Sequence, residues 1–352
     1  MINDILAIGL DRGFGGTKYY SDLAHGLFDS LIAPITEKRA NEIMLNNKDN
    51  RKVIILKKDD SYYLVGSYVS LLEPTYSERD LTRSRNNDNE ALLFMVGMGL
   101  ATGPLTECSL VVTTGLPTAD YEKMNLQYEL DIENNHEPYV FSVFKGSKEY
   151  KKTLIVKKAN VENQPKGTII TIMNEKMIKK ADWNVITTRR YGIGDIGFNT
   201  SDFAMYLGKD IIKGVNNNFS TFALAKILTN IQSSIETELT CKKSQNDIID
   251  SLSTNIVKVK GVDTDCRKQV EEGFINNAHQ LVKEIKSKWE SYLDSLDEII
   301  LTGGVIENKF FFGILKDLFQ KELGWNVIKP EQSQMANAYG FYLISVSITG
   351  QQ

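Results

Sequence analysis

Two short segments carry residue types that can hold a nucleoside triphosphate. The first is Asp11-Arg12-Gly13-Phe14-Gly15-Gly16-Thr17-Lys18. Glycines let backbone N–H groups come close to phosphate oxygens. A lysine neutralises those oxygens as a compact charge. A carboxylate holds waters on a magnesium ion, which takes few protein ligands directly. Gly13, Gly15 and Gly16 supply the first, Lys18 the second and Asp11 the third. The segment is not a Walker loop, because it joins strand to strand and lacks Gly-Lys-Ser/Thr. The second segment is Asp195-Ile196-Gly197-Phe198-Asn199-Thr200-Ser201-Asp202, with Gly197, Thr200 and Ser201 in comparable places. Asn199 stands where a glycine is expected, and Asn tolerates positive φ better than most residues, so the turn is expected to survive. A glycine-rich β-turn without a ligand has the same local sequence as one such loop. Recurrence of the pattern in the second half points to a phosphate clamp.

A third segment, Ile299-Ile300-Leu301-Thr302-Gly303-Gly304-Val305, ends a buried strand in small residues. Gly303, Gly304 and Val305 leave room for a flat base and its sugar against the backbone. A plain helix–strand–turn connection has the same pattern.

The elements that must position these groups are visible as apolar runs. Ile5–Leu10 is a strand that stops at Asp11, and Tyr19–Tyr20 resumes the apolar character, so the pair forms a hairpin. Val53–Leu56 and Tyr62–Val65 make a second hairpin. Leu110–Thr113 is a buried strand turning sharply at Gly115-Leu116-Pro117. Tyr139–Phe144 and Leu154–Lys157 are strands around a Lys- and Gly-rich turn, and Ile169–Asn174 is another apolar, β-branched stretch. Trp183–Thr187 leads to Tyr191–Asp195, where the strand–Asp–Gly pattern returns with Ala204–Leu207 as its partner. Ala91–Gly103, behind Asn86-Asn87-Asp88-Asn89-Glu90, is expected to be a buried helix with an Asn/Asp cap, ended by Pro104. Helical spacing marks Phe222–Leu239, Val270–Leu293 running directly into Glu298, Phe310–Leu323 and Gln334–Ile344, with Val327–Ile328 a short strand. The expectation is two α/β domains on one plan with a cleft between them.

Composition narrows the function. The 352 residues carry a net charge of −4 with both signs interleaved, unlike a protein that coats bare DNA. A DNA-linked role through an adapter stays open. Cys108, Cys241 and Cys266 lack C-x-x-C or zinc spacing and are expected to be reduced thiols. Met1-Ile2-Asn3-Asp4 lacks the start of a signal peptide, and the most apolar window is too short to span a bilayer. The expected location is cytoplasmic, with no direct contact to nucleic acid or membrane.

In this order the pieces resemble the actin superfamily, which includes actin, Hsp70-type ATPases and sugar kinases. Asp11–Lys18 is similar to its phosphate-1 pattern D-x-G-x-G-x-x-K, Asp195–Asp202 to phosphate-2, Ile299–Val305 to the adenosine motif, and Asn337-Ala338-Tyr339-Gly340 to the closing helix, with Ala338 and Gly340 packing at the hinge. Within the superfamily the chain resembles the ParM-like bacterial actins that segregate plasmids. Gly115-Leu116-Pro117 resembles their G-L-P turn, and Glu162-Asn163-Gln164-Pro165-Lys166-Gly167 resembles their E-x-x-P-x-G segment.

The resemblance implies an actin-like (ribonuclease H-like, duplicated) α/β fold with a central nucleotide cleft. Its first domain would be residues 1–184, its second 185–332, and residues 333–352 would pack back on the first. It implies ATP (or GTP) and Mg2+ as ligands, with Asp11 and Asp195 ordering the metal through water. The nucleotide contacts implied are Asp11, Gly13, Phe14, Gly15, Gly16, Thr17, Lys18, Asp195, Gly197, Phe198, Asn199, Thr200, Gly303, Gly304 and Val305. Glu162 would orient or deprotonate the attacking water, with Gln164 as substitute; a solvated loop carboxylate is the other reading of Glu162. The implied activity is nucleoside-triphosphate hydrolysis coupled to polymerisation in plasmid segregation. Partners would be copies of the chain and a small DNA-binding adapter at a filament end. Arg12 is bulky beside the loop, which puts affinity or exchange in question. A small-molecule kinase would need an aspartate base, and no sugar-kinase signature or zinc cysteine cluster is present. A chaperone would need a substrate-binding domain after residue 352. A cell-division or pilus-linked scaffold with weak ATPase activity is the remaining alternative.

Overall fold

The computed structural model describes residues 5–76, 88–215, 217–219 and 222–350. Two compact units emerge: Met1–Asn174 with Met335–Gln352, and Glu175–Gln334. The division falls at 174/175, inside the helix Pro165–Ile178.

The first unit is built on nine strands: β1 (Ile5–Arg12), β2 (Gly16–Tyr20), β3 (His25–Asp29), β4 (Ile32–Ile35), β5 (Ile54–Lys58), β6 (Ser61–Val65), β7 (Glu107–Leu116), β8 (Tyr139–Lys145) and β9 (Lys148–Asn163). Their order in the sheet is β3-β2-β1-β7-β9-β8-β5-β6-β4. β1, β7 and β9 run parallel at its centre. Residues 7–12 of β1 are all buried, because helices cover both faces. One cover is the helix Asp88–Ala101, where Gly97 allows contact with Leu10 and Thr17. The other is the closing helix Ala336–Thr349. Its backbone lies directly on Gly9, where a Cβ would stand 2.0 Å from the Ala338 carbonyl oxygen. Ser345 Oγ donates to the Ile8 carbonyl at 2.8 Å. Gly340 sits equally close to Gly167 of Pro165–Ile178, so these two helices cross at paired glycines.

Two sequence expectations change here. Ile169–Asn174 belongs to the helix Pro165–Ile178. Pro165 suits a first helical position, and contact with the closing helix outweighs the β-branched composition. Strand β9 does not stop at Lys157. Leu110 pairs with Val156 and Val111 with Lys158, so a bulge absorbs Lys157 and the strand continues to Asn163. The Asn86-Asn87 part of the expected helix cap lies outside the described residues. Lys152, 1% exposed, donates to the carbonyls of Gly103 (2.8 Å) and Leu105 (2.6 Å) beyond the helix Asp88–Ala101. Burial lowers its pKa to about 8.

The second unit repeats the plan. Its strands are β10 (Arg190–Ile196), β11 (Ser201–Leu207), β12 (Asp210–Ile211), β13 (Asn217–Phe219), β14 (Ile256–Val259), β15 (Val262–Asp265), β16 (Glu298–Thr302) and β17 (Asn326–Ile328). The main sheet runs β12-β11-β10-β16-β17, with β13 on β11, and β14 and β15 form a separate hairpin. In each unit an antiparallel hairpin is followed by a strand laid parallel to its first arm: β1, β2, β7 and then β10, β11, β16. Helices Leu224–Glu238, Arg267–Lys288 and Lys309–Leu323 share one apolar core with this sheet. The long helix ends at Lys288 instead of running into Glu298. Trp289 is fully buried there, edge-on to Phe203 with Nε1 donating to the Val215 carbonyl at 3.0 Å. A short 3-10 stretch, Glu290–Ser295, then leads to β16. At the base of β10, desolvation and then the Glu298 carboxylate push Tyr191 up to about 12. Glu298 accepts from Lys176 and Arg189.

Among the described residues no helix is long and apolar enough to cross a membrane. Cys108, Cys241 and Cys266 are free thiols.

Candidate functional site

The first loop is the turn of the β1–β2 hairpin. Gly13 N donates to the Gly16 carbonyl at 3.1 Å, closing four residues. A Cβ at Gly13 would stand 3.2 Å from both the Gly16 oxygen and Lys18 Nζ, which accounts for glycine there. Asp11 and Lys18 are cross-strand partners, and their side chains meet at 2.8 Å (Oδ2 to Nζ). The other carboxylate oxygen of Asp11 accepts from Gln164 Nε2 at 3.1 Å. Asp11 is 2% exposed, while Lys18 and Gln164 are half-buried. An acid, a base and an amide therefore converge beside backbone that is open to close approach. Ser30, absent from the sequence expectations, fastens this turn. Its Oγ donates to the Gly13 carbonyl at 2.7 Å and lies 2.9 Å from Thr17 Oγ1. No local motif marks Ser30; only the pairing of β2 with β3 brings it there.

Arg12 does not crowd the loop. Side chains alternate along a strand, so Arg12 leaves β1 on the face opposite Asp11. There it is buried against Glu90 (2.6 Å) and over the ring of Tyr128.

Glu162 lies near the end of β9 and pairs with Gly115 of β7. Leu10 pairs with Thr114, so the next step along β1 sets Asp11 beside Gly115. Gly9 and Gly115 both face the closing helix. By alternation Asp11 and Glu162 are on that same face, two strands apart. Glu162 is half-buried, with Asn160 Nδ2 at 3.5 Å. It is part of a strand and not of a solvated loop. Of the two candidates for water positioning, Gln164 is the one that touches Asp11.

The second loop has the same backbone turn, Gly197 N donating to the Thr200 carbonyl at 2.9 Å. None of the residues in either turn has a left-handed φ. Asn199 thus needs no tolerance of positive φ, and the expectation that it replaces a conformationally required glycine is corrected. Glycine is constrained at the first position of the turn, where a Cβ on Gly197 would meet the Thr200 oxygen at 2.9 Å. The carbonyls of Gly197 and Phe198 accept from Leu224 N (3.0 Å) and Ala225 N (2.8 Å), tying this loop to the start of a helix. Asp195 faces Asp202 across the hairpin, both buried, and Thr200 Oγ1 donates to Asp202 at 3.1 Å.

The third segment lies beside this loop. Asp195 pairs with Thr302, whose Oγ1 donates to the Ser333 carbonyl at 2.8 Å. Gly303 has a φ of +98°, and a Cβ there would stand 2.3 Å from the Ile196 oxygen and 2.9 Å from Asp195 Oδ1. Only glycine fits. Gly304 borders Gln334, and Val305 is buried in the core of the unit. Each unit therefore assembles its own group: Asp11–Lys18 with Glu162 and Gln164 in the first, Asp195–Asp202 with Gly303–Val305 in the second.

A comparison with curated proteins yields no match. Family models do match. Residues 9–167 match the actin-like protein N-terminal domain, and residues 193–307 match the C-terminal domain of an archaeal, MreB-like actin homologue. Among solved structures, a 15-stranded ParM filament from Clostridium botulinum is 17% identical, with a TM-score of 0.79, over 97% of this chain and 99% of that one. A Bacillus thuringiensis ParM with ATP is 15% identical, with a TM-score of 0.69, over 99% and 100%. An archaeal actin homologue in complex with ADP is 15% identical, with a TM-score of 0.71, over 97% and 100%. These likenesses extend over nearly the whole chain and fix its fold as the two-domain actin-like α/β fold. The two family models together take in well over half of the residues, and the chain belongs to the actin-like proteins.

Proposed function

We propose that the protein binds and hydrolyses a nucleoside triphosphate, ATP or GTP, and that nucleotide drives its assembly into filaments that move plasmid DNA. The observation that carries this reading is the Asp11–Lys18–Gln164 group at the glycine turn of β1 and β2. In this reading Lys18 exchanges its partner Asp11 for phosphate oxygens, so that its ammonium is paired with oxygen in both states, while a magnesium ion would take over the charge of the Asp11 carboxylate. The backbone N–H groups of the turn supply further donors. Asp11 and Asp195 are each a buried carboxylate at the head of a hairpin, of the kind that would hold magnesium through water, since magnesium keeps several waters and takes one or two carboxylates. The ion would offset charge on the phosphates.

Hydrolysis requires a water aligned with the terminal phosphorus, and most of the catalysis is positioning. Water attacks, the bond to the leaving diphosphate oxygen breaks, and the water's proton passes to a base or to phosphate. Glu162 is the carboxylate on the Asp11 face that can take this role, with Gln164 orienting the same water from beside Asp11. Gly303 and Gly304 make the floor for base and sugar, with Val305 supporting them from the core beneath.

Filament formation and plasmid segregation draw support from the family and from the ParM-like segments at Gly115–Pro117 and Glu162–Gly167. A small DNA-binding adapter at a filament end would connect the polymer to its cargo. Phosphate release measured against protein concentration tests the reading. Turnover that climbs more steeply than in proportion to protein, together with rising light scattering, is expected. Turnover that needs an added sugar or acid acceptor would make the protein a small-molecule kinase instead.

A further inference from the structure

Arg12 and Glu90 form a buried ion pair directly behind the first loop. Nε of Arg12 lies 2.6 Å from Glu90, and both side chains are 2–3% exposed. The guanidinium also lies 5.3 Å from the ring centre of Tyr128, on the helix Thr118–Glu133. Arg12 is the last residue of β1, covalently joined to Gly13 of the turn. Glu90 is in the first turn of the helix Asp88–Ala101, where a carboxylate also interacts favourably with the helix dipole.

That helix is fixed to the hairpin at three points. Its last residue, Ala101, accepts from Ser21 Oγ at 2.7 Å just beyond β2. Gly97 brings it against Leu10 and Thr17 near mid-hairpin. Glu90 holds it at the loop end. The first two contacts and the buried side chains Leu93, Val96 and Met98 already secure the packing. Stability does not call for a charge pair at the third, because well-packed apolar side chains of similar volume generally serve as well or better in such places. What a charge-paired guanidinium adds is direction: its planar fork accepts a carboxylate in few orientations.

We propose that Arg12 and Glu90 are positioning residues for the phosphate loop, an ionic strut through which the start of the helix Asp88–Ala101 sets the backbone of Gly13–Gly16 for phosphate. Ser30 holds the turn through Gly13 and Thr17, and Arg12, the cross-strand partner of Thr17, holds it on the same face of the sheet. The strut touches no ligand and acts only through the loop. This rests on the reading of Asp11–Lys18 as a triphosphate site.

The test is a double-mutant cycle with Arg12→Met, Glu90→Met and the pair together, with Arg12→Lys as the conservative variant. Thermal unfolding is followed beside titration of Mg-ATP and Mg-ADP. Either single methionine variant leaves one buried charge without its ion-pair partner and is expected to lose stability. The double variant is expected to recover it, while its dissociation constants stay raised by about tenfold, because small displacements of positioned groups are costly to binding and catalysis. Arg12→Lys, which keeps the charge without the fork, is expected to fall between wild type and the double variant in affinity. A double variant with wild-type stability and wild-type affinity overturns the proposal and makes the pair structural only. A double variant that stays unfolded also overturns it, since the pair is then a folding requirement. Wild-type protein that binds no nucleotide defeats the triphosphate reading itself, a result distinct from both.

Discussion

The two hairpin loops share a backbone and differ in charge. Each closes four residues with a bond from the first N–H to the fourth carbonyl, at 3.1 Å in Gly13–Gly16 and 2.9 Å in Gly197–Thr200. The position facing the aspartate separates them. Asp11 faces Lys18, and the two make an ion pair. Asp195 faces Asp202, two acids on one face of the sheet. Like charges directly opposite are unfavourable unless a cation or a proton compensates. The charge of Asp11 is thus matched across its hairpin by Lys18, whereas Asp202 in the second accepts a hydrogen bond from Thr200 Oγ1 at 3.1 Å. The same turn carries two charge patterns, and a single side chain across the hairpin separates them.

Changes at these positions should separate the two loops. The largest effect is expected at Lys18→Ala. Loss of one charge-assisted contact should weaken nucleotide binding by roughly ten- to a hundredfold, read by calorimetric titration; a change below about twofold would remove the distinction between the loops. Asp195→Ala should weaken binding about tenfold in magnesium, the equivalent of roughly 1.4 kcal/mol, and have little effect in chelator. An equal loss in both conditions would make Asp195 a structural residue.

A pH dependence should follow from Lys152 of the first unit. Burial holds Lys152 at about 8, below the ordinary lysine value. Between those two values the unfolded chain binds a proton that the folded chain has released, so stability rises with pH across that window. Denaturant titrations from pH 8 to 10 should show a rise that Lys152→Met lacks; parallel curves for the two proteins would count against it. The smallest effect belongs to Asn199→Gly. With no left-handed φ to relieve, the variant should lose at most about 1 kcal/mol through added freedom of the unfolded chain. A clear gain in melting temperature would mean that Asn199 is strained after all.

Much of this was readable in the sequence because hairpins are local. Asp11, the glycines and Lys18 lie within eight residues, and their geometry follows from one turn. The same holds for Asp195 to Asp202. Glu162 was harder to place. The bulge at Lys157 breaks the alternation of buried residues, so the pattern ends at the point where the strand in fact continues. Arg12 looked obstructive because sequence shows its neighbour in the chain and not the face to which it points. Ser30 was invisible, since a serine gains its role only when β3 pairs with β2 and brings it to Gly13 and Thr17. Ile169–Asn174 misled through composition, and packing of the closing helix at Gly167 decided its conformation.

The most direct test is high-speed sedimentation of the purified protein with and without Mg-ATP, with the pellet viewed by electron microscopy. Filaments that form with nucleotide, and that fail to form with Lys18→Ala under the same conditions, are the predicted result. Filaments that form equally well without nucleotide, or no filaments at any nucleotide and protein concentration, would contradict the account.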